Sequence, residues 1–123
     1  MTVPQTKDRT IPQLRLLLRK YVKKWKTNLY LNTWHIDFNI RDYLENDPGD
    51  FSTAATCNAD WKYFYAVLNF SYSKMREMEE TEIEKIVIHE MLHVVVNEMR
   101  EDGIDHEERV VSHLTMICEW MDK

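Results

Sequence analysis

His89, Glu90 and His93 stand in the run His89-Glu90-Met91-Leu92-His93, and their types and spacing describe one kind of chemistry. On an α-helix, side chains four apart lie one above the other on the same face. His89 and His93 would therefore aim two imidazole nitrogens at a common point. Glu90, about 100° further round the helix than His89, borders that point without having to ligate it. Two nitrogen ligands for a divalent cation such as Zn²⁺, beside a carboxylate able to take a proton from water, make a hydrolytic metal site. The flanks agree. Ile83, Ile86, Val87 and Ile88 precede the run and Val94-Val95-Val96 follow it, so the helix is buried or half-buried, where unshared polar groups are costly. A cation gives the three polar side chains a shared partner. In the competing explanation both imidazoles bond backbone carbonyls and Glu90 faces solvent. The metal reading is preferred.

Catalytic zinc usually takes three protein ligands and keeps a fourth position for water. A third donor is therefore needed. His106, Glu107 and Glu108 fall in the first turn of a following helix, and a short link would fold that turn back near His89 and His93. Each has another use. Glu108, three residues past Asp105, would complete a capping box; Glu107 would favour the helix N-terminus electrostatically; His106 would be exposed.

The elements that must position these groups can be read from period and punctuation. Thr81-Glu82-Ile83-Glu84 has the form of a capping box opening the motif helix, which ends by Gly103, a natural left-handed residue. Asp105 then caps a last helix to Met121, with Val110, Val111, Leu114, Ile117, Cys118 and Met121 on its apolar face. Near the N-terminus, Thr10-Ile11-Pro12 is a helix start. Leu14, Leu17, Leu18, Tyr21, Val22 and Trp25 follow at helical spacing, and Arg15, Arg19, Lys23 and Lys26 cover the opposite side, which predicts about four turns of amphipathic helix. From Trp34 the period changes to two: Trp34, Ile36, Phe38 and Ile40 alternate with polar residues, the pattern of a half-buried strand. Turn chemistry fills 45–50. Two more strands are expected near 52–58 and 62–72, joined by a hairpin at 58–61. The expected fold class is α+β, with an N-terminal helix, a small three-stranded and mainly antiparallel sheet, the motif helix and a C-terminal helix.

The chain has 123 residues, 44% hydrophobic and 30% charged, the make-up of one globular domain spanning 1–123 and not of a disordered chain. The first ten residues read as a flexible arm. No apolar run approaches the roughly 18 residues that span a bilayer, and the N-terminus lacks the stretch of a secretory signal. Cys57 and Cys118 form no Cys-x-x-Cys pair, which excludes a zinc ribbon and a disulfide framework. Both read as small core residues in a reducing compartment, so the cytoplasm is the expected location. Residues 1–34 hold eight Lys or Arg against one acid, a net of +7, and the remainder carries −12, together the formal −5 of the whole chain. Such asymmetry marks either a basic docking surface for nucleic acid or a basic helix packed beside acidic ones. The packed helix is favoured over the nucleic-acid partner.

The pentapeptide is also the signature of zincin metallopeptidases. Over residues 30–122 the layout of strand, hairpin, motif helix, short link and final helix resembles the small SprT-like and putative phage metallopeptidases. That resemblance implies a minimal zincin-like domain holding one Zn²⁺. It further implies hydrolysis of peptide bonds in a protein or peptide lying extended along a sheet edge, with Glu90 as general base. In SprT-like members the third ligand is a histidine shortly after the motif helix, which points to His106, although the glycine that follows it there is Glu107 here. In glutamate-ligand zincins a Glu on the following helix binds, and Glu108-Arg109-Val110-Val111-Ser112 is similar to that pattern. The ligand set taken forward is His89, His93 and Glu108, ahead of His106 and Glu107. The alternative is a non-catalytic zincin-like scaffold with structural zinc, associated with nucleic acid.

Overall fold

The computed structural model describes residues 8–45, 48–102 and 106–122, and the side chains of these except 100–102. Helix α1 spans Ile11–Asn28, somewhat longer than its stripe predicts. Thr10 caps it in a complete capping box: its hydroxyl accepts from the Gln13 N–H, and the Gln13 side chain accepts from the Thr10 N–H. Leu14, Leu18, Tyr21, Val22 and Trp25 are buried, as the helical spacing requires. The expected arm is shorter than ten residues. Asp8 pairs with Arg76, the Arg9 guanidinium donates to the Met78 carbonyl, and the Tyr72 hydroxyl donates to the Arg9 carbonyl. Residues 1–7 of the arm lie outside the described residues.

Strand β1 spans His35–Arg41, β2 Ala55–Asp60 and β3 Tyr65–Ser71. Their order is β1-β3-β2, with β1 parallel to β3 and β2 antiparallel to it. The sheet is thus mixed, not mainly antiparallel. Local pattern fixes only the β2–β3 hairpin; β1 joins by way of the long 42–54 connection, which has the length to place β3 between the two earlier strands. The hairpin also turns later than expected. Asn58 to Asp60 stay in β2, because Asp60 caps a 3-10 turn at Trp61–Tyr63 by accepting from the Lys62 N–H, and Phe64 completes the reversal at φ 50°.

A four-residue helix, α2 at Tyr72–Met75, leads to the motif helix α3 at Glu80–Val96. The expected capping box at Thr81 does not form. Glu79 holds the N-cap position without a side-chain bond, and Glu84 is engaged from α1, accepting from Lys24 Nζ at 2.6 Å and Trp25 Nε1 at 2.8 Å. After Val96 the chain tightens into a 3-10 stretch, Asn97–Asp102; the expected stop at Gly103 lies outside the described residues. Helix α4 spans Glu107–Met121. Its N-cap position falls on left-handed His106, while Asp105, the expected cap, is not among the described residues.

Ile36, Phe38 and Ile40 of β1, Ala66, Leu68 and Phe70 of β3, and Ala55, Cys57 and Ala59 of β2 share one sheet face and join the hydrophobic core. The helices supply the other side of that core: Leu14 and Leu18 from α1, Ile83, Val87 and Met91 from α3, and Val111 from α4. The arrangement is an α+β fold whose sheet is bordered by β1 on one side and β2 on the other. No helix among the described residues is long and apolar enough to cross a membrane.

Candidate metal centre

Helix α3 is apolar on most of its circumference, and that is why the motif is held rigidly. Val87, Ile88, Met91, Leu92 and Val94 are buried around it. At its end the Asn97 side chain accepts from the Trp61 N–H at 3.0 Å, tying α3 to the β2–β3 turn. His89 and His93 present their rings on one face with centroids 5.0 Å apart and planes at 74°. His93 is buried and His89 half-buried.

The first turn of α4 folds back onto this pair. His93 Nε2 is 2.7 Å from Glu108 Oε1, and His89 Nε2 is 3.0 Å from Glu108 Oε2. One donor atom from each of His89, His93 and Glu108 lies within 4.8 Å of the other two. Ligands about 2.0–2.1 Å from a tetrahedral zinc stand about 3.3 Å from one another, so two imidazole nitrogens and a carboxylate gathered this closely fit such an ion. Of the three sequence candidates for the third donor, Glu108 is the one brought to the pair. His106 is exposed at the head of α4 and lines a different cavity with Arg109 and His113. Glu107 does something the sequence reading did not assign. Its Oε2 lies 2.5 Å from His93 Nδ1. A carboxylate only accepts, so Nδ1 donates to Glu107, and with a cation held between Nε2 and Glu108 the Nε2 lone pair would be the ligand. The signal was adjacency: consecutive residues in a first helical turn diverge by about 100°, enough to reach two sides of one imidazole.

Glu90 is the least solvated carboxylate among the described residues. It is 7% exposed and has no hydrogen-bond or ion-pair partner among the described residues. Burial pushes its carboxyl up to about 7; His93 pulls the other way, and Glu108 adds a smaller upward push. A cleft of about 420 Å³ opens over these groups, lined by Thr53, Ala55, Thr56 and Cys57 together with His89, Glu90, His93 and Glu108. The β2 edge of the sheet is therefore one wall of the site. No protein-family model, curated protein or solved structure matches this chain.

Proposed function

We propose that this chain is a metal-dependent peptidase of zincin type, with His89, His93 and Glu108 as the ligands of one Zn²⁺ and Glu90 as general base. The observation that carries the reading is Glu90. A largely buried carboxylate with no hydrogen-bond or ion-pair partner among the described residues is costly, and it borders three converging donors in a cleft. Its neighbours fit that role. Among the described residues three donors converge on one point, and Glu107 bonds the outer nitrogen of His93. That number matches catalytic sites, which keep a position for water, better than closed structural ones.

When bound, the cation supplies Lewis acidity that makes water a stronger acid and polarises the scissile carbonyl. Glu90 takes the proton from the attacking water and returns it to the leaving amine. Burial suits it to both transfers, since a carboxyl raised towards neutrality gives up a proton as readily as it accepts one. Glu107 holds the His93 ring in the tautomer that frees Nε2. The substrate, an extended segment of a protein or peptide, pairs backbone to backbone along the β2 edge and carries its carbonyl past the cluster. With Glu108 as third ligand the site follows the glutamate-ligand zincin pattern and departs from the SprT-like one, in which a histidine takes that place.

The test is hydrolysis of a denatured protein or quenched fluorogenic peptide by the full chain supplied with Zn²⁺. The expected result is chelator-sensitive cleavage that Glu90→Gln abolishes while metal content stays near one ion per chain. Full activity in that variant would overturn the role of Glu90. Stoichiometric, tightly held metal with no cleavage of any unfolded substrate would favour the scaffold reading instead.

A further inference from the structure

The edge of the sheet opposite the metal centre carries its own groove. It lies between α1 and β1, has a volume of about 520 Å³, and is lined by Arg15, Arg19, Lys23 and Lys26 on one side and Ile36 and Phe38 on the other. The cations of α1 divide into two groups. Lys20 is paired with Glu80, and Lys24 with Glu84 and Asp122. The side chains of Arg15, Arg19, Lys23 and Lys26 make no ion pair or hydrogen bond among the described residues, and they form the stripe that overhangs the groove. Asp37 is the one acid in the lining. Basic charge of this density, left without partners in a chain of net −5, creates a local positive field that attracts an anionic ligand.

The floor of the groove says what form that ligand takes. The His35 N–H donates to the Phe64 carbonyl, and His35 registers with Tyr65 in the parallel ladder. Alternation along the strand then turns the backbone N–H and C=O of Ile36, Phe38 and Ile40 away from β3. None of these backbone groups has a partner among the described residues. A free strand edge pairs with another extended chain. A phosphodiester offers no alternating N–H and C=O to match it. Charge argues the same way, because a long nucleic acid would also meet the −12 carried beyond residue 34, whereas a short acidic segment sees only the stripe.

We propose that the β1 edge and the α1 stripe together bind an extended acidic peptide segment of a partner protein, added as a fourth strand beside β1 with its carboxylates directed at Arg15, Arg19, Lys23 and Lys26. Arg15 to Lys26 spans about 16 Å of helix, the length of about five residues of extended chain. This binding site stands apart from the cleft over His89 and His93, so it is independent of the peptidase reading.

The test is fluorescence anisotropy with a labelled six-residue peptide of alternating Glu and Val, using the metal-free full chain so that cleavage cannot intervene. Saturable binding is expected, weakened about tenfold or more by the double reversal Arg19→Glu/Lys23→Glu. Peptide N-methylated at alternate amides should lose affinity to a similar degree, while Lys20→Ala, whose charge is taken up by Glu80, should leave it nearly unchanged. Circular dichroism of each variant establishes that the fold is kept. Binding indifferent to the charge reversal or to N-methylation would overturn the proposal. So would a DNA oligonucleotide that binds more tightly than the peptide and is lost with the same two reversals.

Discussion

Glu107 and Glu108 differ by one position and have different work. Glu108 stands among the donors, and Glu107 bonds the far nitrogen of His93. Partners of this second kind typically contribute about 10–100-fold to metal affinity. Glu107→Ala should therefore weaken Zn²⁺ binding by about that factor in a chelator competition, and Glu107→Gln, which keeps an accepting oxygen, should restore much of it. Equal affinity in wild type and Glu107→Ala would remove the positioning role. Glu90 carries a prediction about stability as well as turnover. Its folded-state value of about 7 stands above the ordinary 4.5 because burial disfavours the charged form. The folded state thus keeps a proton that the unfolded chain has released. The resulting penalty is absent below pH 4.5, grows up to about pH 7 and is constant beyond it. For the metal-free protein at neutral pH this amounts to at most about 3 kcal/mol. Glu90→Gln should then stabilise the chelated protein by roughly 1–3 kcal/mol in denaturant titrations at pH 7.5, with little change at pH 4.5. No gain at pH 7.5 would contradict the burial cost assigned here.

Helices α1 and α3 are joined by a row of polar contacts along their exposed margin. The Tyr21 hydroxyl and Lys20 both donate to Glu80, and Lys24 and Trp25 donate to Glu84. The Tyr21 bond, more than the lysine, holds the Glu80 carboxyl below its ordinary value. A depressed acid stabilises the fold above that ordinary value of 4.5, and the contribution is lost as pH falls through the folded-state value. Tyr21→Phe should therefore make stability less dependent on pH on the acid side, measured as a flatter midpoint-against-pH curve below 5. A curve as steep as wild type would mean that another carboxylate governs the acid limb. The same contacts explain a sequence expectation that failed. Thr81 and Glu84 have the residue types of a capping box, but Glu84 answers α1, a contact between residues 60 apart. The Thr10 cap needs only residues three apart and formed. Thr10→Ala should cost about 1 kcal/mol.

At the scale of the whole molecule, α4 is the least anchored element that the metal centre uses. Val111 and Thr115 are its buried residues among those described, while Met116, Trp120 and Met121 are largely exposed. A cation shared by α3 and Glu108 would fasten α4 where packing does little. Zinc at one hundred times its dissociation constant should add about 2.7 kcal/mol of stability, on the order of 10 °C in Tm for a domain of this size. Amide exchange should slow most in α4. Uniform protection without a preference for α4 would show that the ion does not act as that clasp. The two border strands of the sheet face two different surroundings: β2 lies beside the metal cluster, and β1 beneath the basic stripe.

By themselves the residues determined what is periodic or local. Helix α1 and its cap, the alternation of β1, and the juxtaposition of His89, Glu90 and His93 follow from spacings of two, three and four, which backbone geometry converts directly into faces. Only the folded chain decided which of three adjacent candidates stands between the two histidines and which reaches the far side of His93, that β3 runs between β1 and β2, and which cations of α1 remain without acids. Those outcomes depend on contacts between distant segments. Their balance is set by how α4 folds back and how α1 lies on α3, and no short-range pattern encodes either.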